Sequence, residues 1–179
     1  MMHDALWAPW RLTYLSELKR KADAGGGWDH ITGGNFLAHY WSRPENDQAN
    51  LVVHRDQCGF ILLNRYPYAN GHLLVALGDA RPSLLDYSAP QRAAFWALVE
   101  VGFQLMQRAL APQGVNMGIN EGRAAGAGVP QHLHAHLVPR WSGDTNFMTV
   151  TCNVRVIPAA LETMWQQYRD AAQSLKLPQ

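Results

Sequence analysis

In the last third of the chain, His132, His134 and His136 alternate with Leu133, Ala135 and Leu137. Alternation of this kind marks a strand whose two faces differ. It predicts three imidazoles in a row on one face of a strand over 131–138, with the apolar residues turned into a core. A neutral imidazole is a competent nucleophile near pH 7, and attack on an α-phosphorus splits a difficult displacement into formation and breakdown of a nucleotidyl-histidine. Two other uses of the pattern stay open on residue types alone. A row of histidines can be a polar strand face that performs no reaction, and His-x-His on a strand can hold zinc. No cysteine pair or carboxylate adjoins the three histidines in sequence to complete such a metal site.

Residues upstream fit chemistry on a phosphate. Asn120 stands at the end of a strand predicted over 115–119, and a small-residue loop follows over 122–128. Its glycines, Gly126 and Gly128 among them, let backbone N–H groups approach an anion without obstruction by a Cβ. Such donors stabilise charge developing on phosphorus oxygens. A plain connector is the competing reading of the same loop. Leu62, with Phe60 and Leu74, can line an apolar pocket or simply fill the core.

The elements that must position these groups follow from periodicity. A helix is expected from about Tyr14 until the glycine run 25–27, then a loop to about Asn50. Short apolar runs predict strands over 51–54, 59–63 and 72–77, with antiparallel pairing. From Ala89 to Ala111, Phe95, Leu98, Val99, Gly102, Phe103, Met106 and Leu110 recur at helical spacing, which predicts a long amphipathic helix. A strand over 148–157 and a helix from Ala159 to about Leu175 complete an α+β fold. Its sheet has about five antiparallel strands, one long packed helix and terminal helices. The expected organisation is an extension over 1–50, a core over 51–157 and a C-terminal helix over 158–179.

Composition narrows the function classes. The 179 residues suit one domain with a modest appendage, and a charged share of 16% with 47% apolar residues excludes a disordered chain. Fifteen basic against 14 acidic residues, with no run of like charge, argue against a nucleic acid polymer as partner. Cys58 and Cys152 form neither a disulfide framework nor a CxxC pair, so a reducing cytoplasm is the expected location. No signal peptide is read at residues 1–7, and the apolar stretch over 93–106 is broken by Glu100 and Gln104, so no membrane span is expected.

The segment His132-Leu133-His134-Ala135-His136-Leu137-Val138 matches the motif His-φ-His-φ-His-φ-φ, with φ apolar, and so resembles the histidine triad (HIT) family of nucleotidyl hydrolases and transferases. The flanking segments 6–11, 63–72, 118–122 and 139–147 look like the bacterial branch of diadenosine polyphosphate phosphorylases and hydrolases, related to the fragile histidine triad proteins. The resemblance implies a HIT-like fold, a homodimer, no cofactor, and a nucleotide or dinucleoside polyphosphate partner. It implies His134 as nucleophile and His136 as donor toward the phosphate and leaving oxygen. His132 would pass polarity to His72, the family's upstream histidine. Asn64, eight residues before His72, matches the ribose-binding amide, though a turn Asn before Tyr66-Pro67 accounts for it equally; Asn120 matches the phosphate-side amide.

The implied activity is cleavage at the α-phosphate with water or inorganic phosphate as acceptor. Departures from relatives refine it. No CxxC pair lies near 27–35, so no structural zinc is expected. Val129 replaces a hydroxyl residue of another branch, which argues against a phosphoramidase, and His136 stands where the sugar-phosphate uridylyltransferases carry Gln. Two readings from other classes remain: a nucleotide-binding sensor or interaction module without turnover, and a metal-dependent hydrolase.

Overall fold

The computed structural model describes residues 34–144 and 159–177. The helix expected near Tyr14 and the strand expected over 148–157 lie outside the described residues. Five strands form one antiparallel sheet: β1 (Val52–Arg55), β2 (Gly59–Leu63), β3 (Leu73–Leu77), β4 (Gly114–Ile119) and β5 (His134–Arg140), in spatial order β1-β2-β3-β5-β4. Among the described residues three α-helices accompany it: α1 (Phe36–Trp41), α2 (Ala89–Leu110) and α3 (Leu161–Ser174). The α+β architecture agrees with the expectation.

Both faces of the central strands are covered, so β2 and β3 are buried at every position and read as continuous apolar runs. On one face Val53, Ile61, Leu63, Val75, Ala135 and Leu137 pack with α2 and α3. On the other, Val52, Phe60, Leu62, Leu74 and Ala76 pack under Leu37 and Tyr40 of α1. Each such apolar side chain contributes roughly 1.5–3 kcal/mol when fully withdrawn from water. The loop expected to run to Asn50 is thus partly helical. Asn35 caps α1 by accepting a hydrogen bond from the Ala38 N–H at 3.0 Å, and Leu37 and Tyr40 supply the apolar side of a helix too short to register as a period in sequence.

Helix α2 begins with a reciprocal capping box between Ser88 and Gln91 and ends at Ala111, whose φ of 43° closes it ahead of Pro112. Its buried stripe is Phe95, Leu98, Val99, Gly102, Leu105 and Met106. Phe103, expected on that stripe, is exposed, and Leu105 takes the place, one helical repeat beyond Leu98. Gly102 is where α2 approaches the sheet: a Cβ there would meet Leu137 Cδ1 of β5 at 2.6 Å. The helix therefore lies directly behind the strand that carries the histidines.

Candidate active site

Cross-strand register places the histidines. His134 pairs with Ala76 and His136 with Leu74, both members of the cluster under α1, so the two imidazoles share the α1 side of the sheet. Leu133, Ala135 and Leu137 are buried on the other side, as expected. His132 departs from the prediction. β5 begins only at His134, and residues 131–133 are irregular backbone, with the Leu133 N–H donating to Arg81 O. The cause is visible in the hydrogen bonds: the Leu77 carbonyl accepts from His132 Nε2 at 2.7 Å. His132 is thus fully buried beneath α1 rather than third in a row. Its Nδ1 lies 3.1 Å from the Asn35 amide oxygen. A neutral ring can donate only once, and the shorter Leu77 contact is the bond.

For His134, Nδ1–H donates to the His132 carbonyl at 2.8 Å, which fixes the hydrogen on Nδ1 and leaves the lone pair on Nε2. Burial holds this imidazole below its ordinary range, against the smaller opposing effect of that carbonyl. His134 is therefore neutral at pH 7 and has one nucleophilic nitrogen.

A second chain of bonds orients His136. The Tyr68 N–H donates to His72 Nδ1 at 3.1 Å, and the Asn64 amide nitrogen lies 3.3 Å from the same atom. His72 Nδ1 must then accept, so its hydrogen sits on Nε2, which donates to His136 Nδ1 at 3.1 Å. His136 consequently carries its own hydrogen on Nε2 and presents a donor. The expected link from His132 to His72 is replaced by this link from His72 to His136. The rings of His134 and His136 lie 5.0 Å apart, so the ring with a free Nε2 lone pair and the ring with an Nε2–H are neighbours.

The remaining expected residues divide. Asn120 follows Ile119, which pairs with Ala135, so it stands at the strand end beside His134. Asn64 uses its amide oxygen to accept from the Tyr66 N–H at 2.9 Å, the local turn role. Leu62 is 1% exposed, packed within the cluster under α1. Gly126 has a φ of 87°, a conformation suited to glycine, but its N–H donates to the Arg123 carbonyl and is not available to an anion. Gly128 lies exposed on the same loop, two residues beyond. Glu121 anchors the start of this loop by accepting from Ser83 Oγ at 2.9 Å and the Leu84 N–H at 3.0 Å.

Two contributors went unmarked in the sequence reading. Tyr68 stacks on His136 with ring centroids 5.8 Å apart and planes 14° from parallel, besides fixing His72 through its backbone. Asn35, which caps α1, lies against the ring of His132. Only the Tyr66-Pro67-Tyr68 turn signal pointed near the first, and nothing local pointed to the second. Among the described residues, no group of three His, Cys, Asp or Glu side chains is placed to hold a metal ion.

The profile of the HIT domain matches residues 44–143. The chain belongs to the HIT domain family. A relative from Mycobacterium tuberculosis (strain ATCC 25618 / H37Rv) named AP-4-A phosphorylase is 34% identical over 157 residues, 87% of this chain and 77% of that protein. The bis(5'-nucleosyl)-tetraphosphatase [asymmetrical] of Schizosaccharomyces pombe is 30% identical over 93 residues, 52% of this HIT chain and 50% of its own. Among solved structures, a Zn-bound histidine triad family protein from Mycobacterium smegmatis is 28% identical, with a TM-score of 0.58, covering 76% of this chain and 94% of that one. A hypothetical histidine triad nucleotide-binding protein from Sulfolobus tokodaii shares the fold at a TM-score of 0.63 and 24% identity, over 77% of this chain and 93% of that one.

Burial sets a pH dependence for this HIT domain. His54, His132 and His134 are all held below the ordinary imidazole value, burial being the leading cause in each. Between the unfolded value of about 6.5 and the lowered folded values, the unfolded chain binds more protons than the folded one. Stability is therefore lost as pH falls through that window. Thermal unfolding followed from about pH 7.5 to about pH 5 is expected to show a falling Tm, and a Tm constant over that range contradicts three neutral buried rings.

Proposed function

We propose that this protein cleaves dinucleoside polyphosphates or related nucleotides at the α-phosphorus through a nucleotidyl-histidine on His134. The observation that carries the reading is the Nδ1–H of His134 on the His132 carbonyl, which presents the Nε2 lone pair. In the first step the Nε2–P bond forms and the bond from phosphorus to the bridging oxygen breaks. His136, with its hydrogen on Nε2, donates to the departing polyphosphate. In the second step water or inorganic phosphate attacks phosphorus and His134 leaves. Asn120 and the N–H groups near Gly128 meet the phosphate oxygens, and Leu62 underlies the base. Asn64 meets the ribose with the second lone pair of its amide oxygen. His132 acts by positioning, since its carbonyl sets the tautomer of His134.

The 34% identity to a protein named AP-4-A phosphorylase supports phosphate as acceptor. Incubation with diadenosine tetraphosphate is expected to yield ADP and ATP when inorganic phosphate is present, and AMP and ATP in water alone. Tight binding without product would instead make the chain a sensor, and activity that vanishes with chelation of a stoichiometric metal would make it a metal-dependent hydrolase.

The working unit is a homodimer paired through β4. Among the described residues β4 has strand contact only on its β5 side, and Asn116, Met117 and Gly118 are exposed, Met117 at 48%. An exposed edge of this kind is a ready template for a second strand. Sedimentation is expected to give a dimer, and Met117→Lys to shift it toward monomer by placing charges at the pairing edge; a monomeric wild type at micromolar concentration sinks the assignment. No helix among the described residues is long and apolar enough to cross a membrane, and the exposed Cys58 thiol suits the cytoplasm.

A further inference from the structure

The outer edge of β1 borders a half-open cavity of about 360 Å³ lined by the turn at residues 44–48 and by α3. Pockets for small molecules run from about 300 to 1,000 Å³. β1 is separated from β5 by two strands, so the cavity is not part of the triad site. Its apolar walls are Pro44, Val52 and the indole of Trp165, the indole being fixed by an Nε1–H bond to the Val52 carbonyl at 2.7 Å.

The polar groups in this cavity are unevenly satisfied. Arg55 and Asp47 neutralise each other through two contacts, at 3.0 and 2.6 Å, and Arg55 spends further N–H groups on the carbonyls of Trp41 and Tyr40. Asp56, the nearby carboxylate, is turned into the β1–β2 hairpin, where it accepts from the N–H groups of Cys58 and Gly59. His54 is different. It is 4% exposed, it lines the cavity, and its ring forms no hydrogen bond with any described residue. Arg169 makes one bond among the described residues, from Nη1 to the Val53 carbonyl at 3.1 Å, and lies 6.0 Å from the centroid of the Trp165 ring. A guanidinium has five N–H donors, so most of its capacity is unspent. Burial keeps His54 neutral, which leaves it one N–H to donate. The cavity thus brings together a cation with unspent donors, an imidazole N–H with no partner among the described residues and an aromatic wall, with the Gln48 amide beside them. An oxyanion lodged in the cavity would accept from both Arg169 and His54.

We propose that this cavity binds a small organic oxyanion, a carboxylate or phosphate monoester, with its head on Arg169 and the His54 imidazole and its apolar body along Trp165. The site is independent of the reaction assigned to His134. The test is NMR of the imidazole signals of the full chain, with His54 assigned by its disappearance in His54→Gln. Benzoate and phenyl phosphate are titrated separately against chloride at matched ionic strength. A saturable shift of the His54 ring with either probe is expected, and the probe that binds more tightly names the head group. Arg169→Gln is expected to weaken that probe by about tenfold or more, as loss of a charged donor does, and Arg169→Lys by less, with diadenosine tetraphosphate turnover unchanged in both. No shift with either probe up to about 20 mM, a range in which a pocket with such donors fills, overturns the proposal. So does equal binding by wild type and Arg169→Gln.

Discussion

His134→Ala is expected to lower kcat on diadenosine tetraphosphate by about 10⁴-fold or more while the substrate still binds. Alanine deletes the Nε2 whose lone pair is set free by a backbone bond, the His132 carbonyl holding the other ring nitrogen at 2.8 Å. His136 cannot substitute, because its Nδ1 accepts from His72 and its Nε2 carries hydrogen. The groups assigned to phosphate and base contacts are untouched, so affinity for a non-hydrolysable dinucleotide should stay within several-fold of wild type by calorimetry. His134 is 4% exposed, and circular dichroism with a thermal melt separates chemical loss from unfolding. A variant that keeps more than a tenth of the rate removes the nucleophile from the scheme.

His72→Phe comes next, with an expected fall in kcat of about 10²- to 10³-fold. Phenylalanine fills a comparable space at a fully buried position but neither accepts from the Tyr68 N–H nor donates to His136 Nδ1. His136 then loses what fixes its hydrogen on the side of the leaving group. Because His72 acts through His136, KM should move much less than kcat. His72→Gln, which can still donate an N–H, should recover part of the loss. Stranding the Tyr68 N–H costs about 1–3 kcal/mol of stability, so a melt must accompany the kinetics. Lower stability with unchanged kcat would show that His72 holds the turn at Tyr68 and nothing more.

What the sequence could and could not convey follows from the range of the interactions. Strand alternation placed Leu133, Ala135 and Leu137 in the core and His134 with His136 opposite them, because a period of two is local information. The long helix was readable from its spacing. By contrast, the start of β5 is decided by the Leu77 carbonyl, 55 residues away, accepting from His132; no pattern within 131–138 could announce it. Pairing of His72 with His136 spans 64 residues and was likewise invisible, so the sequence reading linked His72 to the wrong member of the triad. Gly126 was read from its composition as an anion donor, whereas the turn it closes consumes its N–H. α1 was missed because six residues are fewer than two helical turns, too few for a period to show.

Gly102 brings the long helix into contact with Leu137, and Leu137 occupies the same strand as the rings of His134 and His136. A slip of that strand by one position would exchange imidazoles for leucines on both surfaces at once. Packing on the α2 side thus serves as the ruler for chemistry on the α1 side. Selection for a well-fitted interior and selection for turnover act here on one seven-residue ribbon, and neither can drift without the other.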